Sequence, residues 1–264
     1  MRIRISHRTD YSYDKPLKYA LQRLRLFPKP GPLQSVLNWD VKLTGAVKEA
    51  AFCDQYSNDT WLISASGEPH GICVEASGEV ETHDLAGVHG AHSGFAPLWL
   101  FRRETPLTLP GDRVRALAAK AAKGAPLDRL HDLNSAVHTT LAYIEGATEV
   151  TTSAEDALAL GHGVCQDHSH VFISAAHVMG FPARYVSGYL MRNDVVEQTA
   201  SHAWAEAHVD GIGWVGFDAA NGQSPDGRYI RLATGLDYRE AMPSSGIVFG
   251  GVREALAVHV TVEQ

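Results

Sequence analysis

Gly161-His-Gly-Val-Cys165-Gln-Asp-His-Ser-His170 is the stretch on which the reading of this chain turns. Gly161 and Gly163 interrupt the helix before them, and an apolar stripe begins at once. Cys165, Ser169, Phe172 and Ala176 fall at i, i+4, i+7 and i+11, the spacing of one helix face. Gly180 closes that helix. Cys165 therefore sits in the first turn, where backbone N–H groups lack helical partners and the helix dipole favours an anion. The thiolate is the nucleophilic form of cysteine, so Cys165 is a candidate nucleophile. The plainer reading is a small buried residue, and Cys53 and Cys73, set in strand-like sequence, receive it.

A nucleophilic thiol needs a base. Of 14 histidines, His202 stands out, because Ser201-His-Ala-Trp-Ala-Glu-Ala-His208-Val alternates cleanly. A strand places His202, Trp204, Glu206 and His208 on one face and Ala203, Ala205, Ala207 and Val209 on the other. The small face suits packing against a helix, and the aromatic, ionisable face suggests a cleft. Asp210-Gly211 is a hairpin signal, and Trp214-Val-Gly-Phe-Asp218 reads as the returning strand. A loop of two or four residues sets His202 opposite a residue between 219 and 221, close to Asp218. A carboxylate there can hold the second imidazole nitrogen and fix its tautomer. Alternatively, Asp218 only opens the turn Ala219-Ala-Asn221-Gly222.

Outward from this centre the chain reads in three parts. The first hundred residues are strand-like: Leu37, Trp39, Val41 and Leu43 alternate with polar residues, and Ile72, Val74 and Ala76 do the same. Residues 84–97 turn to Gly, His and Ala and read as a linker. The middle is helical. One helix runs from Asp112 to Gly124, a second from about Asp128 through Leu141 and Ile144 to Gly146, and a third opens on a Thr152–Glu155 capping box. After Gly180 strands return at 183–191, 201–209, 213–218, 228–234 and 255–262.

Composition bounds the function. With 264 residues, 45% hydrophobic and 20% charged, the chain can bury an ordinary globular core. Three cysteines do not make a disulfide framework. The net charge is −7, although residues 1–30 carry eight Lys/Arg against Asp10 and Asp14. Those charges alternate with Ile3, Ile5, Leu24 and Leu26, as on a strand's solvent face, so nucleic acid is not an expected partner. No apolar run reaches the length of a membrane span, and no signal peptide is visible. We expect a soluble, cytoplasmic protein with no membrane partner.

The motifs G-H-G-V-C-Q-D-H-S-H, P-A-R-Y-V-S-G-Y-L, S-H-A-W-A-E and G-W-V-G-F-D together resemble the bacterial transglutaminase-like superfamily. The resemblance implies an α+β fold: an N-terminal antiparallel β domain (residues 1–95) followed by a papain-like transglutaminase core (residues 96–264) with helices packed on an antiparallel sheet. It implies Cys165 as nucleophile, His202 as general base and acid, and Asp218 as orienter. The reaction would be cleavage of a peptide or side-chain amide through a thioester, with amine transfer or a non-catalytic binding module as alternatives. Gln166, Trp204 and Tyr185 are candidates for the oxyanion donor or the cleft lining, and Tyr189 for the lining alone. No cofactor or metal is expected, although His162, His168 and His170 near Cys165 are zinc-ligand types. The expected partner is a peptide or protein amide, and self-association is left open. Ala219 stands where relatives commonly have Pro, and the calcium sites of animal transglutaminases are not recognisable.

Overall fold

The computed structural model describes residues 1–67, 69–121, 123–192 and 196–264. In chain order it runs β1 (Arg2–Tyr13), β2 (Tyr19–Leu24), β3 (Gln34–Thr44), β4 (Val47–Cys53), β5 (Asp59–Ser66), β6 (Gly71–Thr82) and β7 (Val88–Gly90). It continues with α1 (Asp112–Lys120), α2 (Pro126–Thr140), β8 (Ala142–Tyr143), α3 (Ala154–Leu160), β9 (His162–Gly163) and α4 (Cys165–Val178). Then follow β10 (Ala183–Leu190), β11 (Glu197–Gln198), β12 (His202–Val209), β13 (Gly213–Phe217), β14 (Tyr229–Gly235), α5 (Tyr238–Ala241), β15 (Ser244–Phe249) and β16 (Glu254–Glu263). Antiparallel sheets dominate, so the α+β expectation stands. No helix among the described residues is long and apolar enough to cross a membrane.

Alternation drives the N-terminal lobe. In β1, Ile3, Ile5, His7, Tyr11 and Tyr13 are buried, while Arg2, Arg4 and Arg8 face solvent. The basic start of the chain is thus a strand's outer face, and Arg8 pairs there with Asp10 at 2.7 Å and Glu75 at 2.8 Å. The inner residues form one core between a five-stranded sheet, β11-β16-β1-β6-β3, and a four-stranded one, β15-β2-β5-β4. Tyr189, Ile230 and Leu232 of β10 and β14 join that core, so the β lobe packs against the back of the second lobe's sheet.

That second sheet has the order β14-β10-β12-β13-β7. On its front, Ala203, Ala205, Ala207 and Val209 lie under α4, whose residues Val171 to Ala176 are buried. The small side chains let the helix approach closely, and Phe172 stacks on Phe217 of β13 with centroids 4.9 Å apart. The helix bearing Cys165 is thereby fixed on the strands bearing His202 and leading to Asp218.

Several expectations shift. Leu141 turns extended (φ −106°, ψ 123°), ending α2 at Thr140 instead of 146. The N–H groups of Ala142 and Ile144 go to the carbonyls of Gly161 and Gly163 instead of continuing the helix. Ser153, not Thr152, caps α3, accepting from the Asp156 N–H. Glu155 instead accepts from the N–H groups of Arg113 and Val114 at the start of α1. The first helix is described to Lys120, and Ala122, within its expected span, lies outside the described residues. The stretch read as a linker supplies β7. Sheet membership does not follow a single cut at residue 95, because β15 pairs with β2 and β16 pairs with β1.

The last two strands therefore complete the N-terminal sheets. Deleting residues 244–264 should expose the edges of β1 and β2, lower the melting temperature by at least 10 °C, the effect of losing roughly 3 to 5 kcal/mol in a chain of this size, and promote aggregation. A truncated chain that melts with the full-length protein in scanning calorimetry would contradict this pairing.

Candidate active site

Cys165 is the first residue of α4 and is half-buried. Val164 precedes it in extended conformation, and its N–H donates to the Asp167 carboxylate at 2.8 Å. Thr148 donates to the same oxygen at 2.6 Å. Gly163 is required here, because a Cβ would come within 2.6 Å of the Asp167 side chain. The turn presenting the thiol is thus braced by a buried carboxylate bonded on both sides.

β12 and β13 pair Ala205 with Phe217 and Val209 with Gly213. The loop between them is three residues long, between the two lengths considered from sequence, and it brings His202 to Asp218. His202 Nε2 donates to Asp218 Oδ2 at 2.6 Å. Tyr229 OH and Asn221 Nδ2 donate to that oxygen as well, both at 2.7 Å, and the Asn221 N–H reaches Oδ1 at 3.2 Å. Asp218 has no exposed surface. Burial opposes its charge, yet the imidazolium and these donors hold its carboxyl below the usual value. For His202, burial likewise opposes the charged form, but the Asp218 charge and hydrogen bond, with a contribution from Cys165, outweigh it and raise the imidazole to about 10. With Nε2 committed to Asp218, Nδ1 is the nitrogen left for the sulfur. Cys165, His202 and Asp218 therefore converge in one place.

Residues 115–219 match the transglutaminase-like superfamily, and residues 3–81 match the bacterial transglutaminase-like N-terminal region. An uncharacterised protein of Mycobacterium leprae is 30% identical across 99% of this chain and 98% of its own length. The chain belongs to the transglutaminase-like superfamily. An uncharacterised Mycobacterium tuberculosis protein is 28% identical, covering 94% of this chain and 88% of that one. Among solved structures, a candidate cysteine protease from Cytophaga hutchinsonii covers 100% of this chain and 90% of its own, with 21% identity and a TM-score of 0.79. That likeness shows the fold, and superfamily membership supports a cysteine-based enzyme.

The other sequence candidates of this transglutaminase-like protein fall in different places. Gln166 is buried and its amide donates to the Val150 carbonyl at 3.3 Å. Trp204 lies on the sheet face away from α4 and stacks on the His202 ring, with centroids 6.2 Å apart. Tyr185 is buried on the helix side; burial first and Cys165 second push its phenol well up. Tyr189 points the other way and bonds His7 at 2.8 Å. The ionisable face of β12 is no open cleft: Glu206 is sealed between Arg184 at 2.6 Å and Arg231 at 3.0 Å. His168 lies against the carbonyls of Val164 and Leu141, and His170 accepts the Tyr238 N–H. Tyr229, Asn221 and Asp167 escaped the sequence reading. Asn221 carried a local signal, as an Asn three residues after an Asp in a turn, and so did Asp167, an acid at the third position of α4 that accepts the N–H of the residue before the helix.

The His202 value implies a pH signature. A folded-state value above the ordinary 6.5 means that its contribution to stability is complete below about pH 6.5 and is lost as pH rises towards 10. The melting temperature should fall over pH 7 to 10 more steeply in the wild type than in His202→Gln. Parallel slopes would contradict a charged, Asp218-bound imidazole.

Proposed function

We propose that this protein is a cysteine-dependent amide-bond hydrolase in which Cys165 is the nucleophile, His202 the general base and acid, and Asp218 the orienter. The observation that carries this reading is the 2.6 Å bond from His202 to a fully buried carboxylate, on an imidazole that also answers to Cys165. Superfamily membership and the protease designation of the Cytophaga neighbour support it.

The Cys165 sulfur attacks the amide carbonyl carbon, forming a C–S bond and moving the carbonyl electron pair onto oxygen. The tetrahedral intermediate collapses as the C–N bond breaks, and the protonated His202 gives its proton to the leaving amine. Water then attacks the thioester, His202 takes up its proton, and the C–S bond breaks to release the acid. The Cys165 N–H, at the head of α4, is the first donor for the oxyanion. For the second, Gln166 is held by Val150 and Trp204 backs the imidazole, which leaves Tyr185 beside the sulfur among the three candidates. Cys165 is half-buried and Asn221, beside His202, is exposed, so the thioester is not sealed from water. That access favours hydrolysis over amine transfer.

Iodoacetamide alkylation, read site by site by mass spectrometry from pH 4 to 9, tests the dyad. Cys165 should label readily below pH 8 and slow at least tenfold in His202→Ala. Cys73, whose thiol is pushed up to about 11 by burial and by Asp10, should lag far behind. Cys165 labelling that ignores the His202 substitution would sink the proposal. On amide substrates, Cys165→Ala should abolish turnover, and Asp218→Asn should lower kcat by roughly 10²- to 10⁴-fold, the range for losing a tautomer-fixing carboxylate. Added primary amine should leave the acid as the main product.

A further inference from the structure

The mechanism leaves unused the way Asp218 is held from behind. His202 Nε2 at 2.6 Å, Tyr229 OH at 2.7 Å and Asn221 Nδ2 at 2.7 Å all donate to one oxygen, Oδ2, while Oδ1 takes the Asn221 N–H at 3.2 Å. An ionised carboxylate offers about two acceptor positions on each oxygen. Three donors on Oδ2 therefore compete, and each weakens the pull on the others.

The direction of the Tyr229 proton is fixed. Gln223 Nε2 donates to the phenol oxygen at 2.8 Å, so the phenol proton goes to Asp218, which as a carboxylate can only accept. Gln223 is itself held: its backbone exchanges hydrogen bonds with that of Asp218 at 2.8 and 3.1 Å, and its Oε1 accepts from Arg228 at 3.5 Å. Arg228 is anchored on both oxygens of Asp226. Tyr229 is buried, and its ring meets Trp204 edge to face at 5.5 Å. Burial first, then Asp218, push its ionisation far up, so it remains a donor through neutral and alkaline pH.

The charges around His202 make such a competitor matter. Burial favours the neutral imidazole, but Asp218 after β13 and Cys165 on α4 outweigh it and hold the ring at about 10. Tyr143 on β8, with Glu145 and Arg192 beyond it, stays neutral, because burial first and the sulfur second push its phenol up. An imidazolium held too firmly is a poor acid for the leaving amine and leaves little neutral base for the water.

We propose that Tyr229 is a positioning residue of the reaction: its hydroxyl, fixed by Gln223, shares Asp218 Oδ2 with His202 and loosens the carboxylate's grip on the imidazolium. His202 can then pass its Nδ1 proton to the amine nitrogen as the C–N bond breaks, keeping its Nε2 proton on Asp218. This inference rests on the hydrolase reading for its consequence, but the competition for Oδ2 is measurable without turnover.

The test is a histidine titration by NMR in the Cys165→Ala chain, where the sulfur no longer contributes, with the His202 signals identified by their loss in His202→Gln. Adding Tyr229→Phe should move the His202 midpoint up by roughly 0.5 to 1 pH unit, since a hydrogen bond to a charged group is worth more than one such unit and reaches His202 only through Asp218. Gln223→Met keeps the phenol and removes the donor behind it. It should move the midpoint the same way by less, and it carries the test if Tyr229→Phe does not fold. With Cys165 present and an amide substrate, Tyr229→Phe should lower kcat by roughly 3- to 10-fold and leave KM within about twofold, because proton transfer and not binding is impaired. A lower melting temperature with an unmoved midpoint would make Tyr229 a packing residue and overturn the proposal, as would a midpoint that falls. Cys165 labelling that ignores His202 would instead strike the hydrolase reading, while an upward shift would still establish the competition for Oδ2.

Discussion

A carboxylate with no exposed surface organises this molecule. Leaving Asp218 charged inside the protein is costly unless donors replace the water it has lost. Those donors come from three places: His202 at the start of β12, Tyr229 at the start of β14, and Asn221 in the turn that follows β13. The arrangement exists only if three strands hold their register and the turn closes. The bonds that keep Asp218 satisfied are also the ones that orient the imidazole, so the same contacts serve folding and chemistry.

A second buried charge cluster lies on the back of the same sheet. Glu206 is held between Arg184 and Arg231, and Arg231 exchanges main-chain hydrogen bonds with the Gln34 side chain at the edge of β3. This ties the N-terminal lobe to the strand that carries His202. Trp204 fills the space between that cluster and the imidazole. Its ring comes so close to β10 that a Cβ on Gly188 would lie 2.5 Å from it. The back of the sheet therefore acts as a rigid bed for His202, while α4 fixes Cys165 from the front.

What the sequence makes legible follows from the range of each interaction. Cys165 is readable because a glycine break followed by a 3.6-residue stripe is a local signal. His202 and Asp218 are readable because strand alternation and a hairpin turn are local too. Leu141 and Ile144 continue the helical period of α2, but the carbonyls of Gly161 and Gly163, almost twenty residues away, draw that segment out as a strand. Glu155 looks like a local cap and instead satisfies the start of a helix more than forty residues upstream. Tyr229 was opaque for the same reason: its partner Asp218 is set by tertiary packing, and its own neighbours give no period or turn to read. Asp167 takes the nearby Val164 N–H, but its bond from Thr148, nineteen residues upstream, leaves no local trace. The pairing of β16 with β1 lies furthest beyond local signals.

That last pairing bears on how the chain reaches its native state. Arg4 lies opposite Glu263 and Tyr13 opposite Glu254, so β1 finds a neighbour about 240 to 260 positions further along the chain. Contacts of such separation carry a large loop-closure cost and slow the search for the native topology. While the ribosome is still extending the middle of the chain, β1 can pair with β6 but keeps one open edge. β1 is thus made before the helix bearing the thiol, yet its second edge closes only when β16, which follows that helix, has been made.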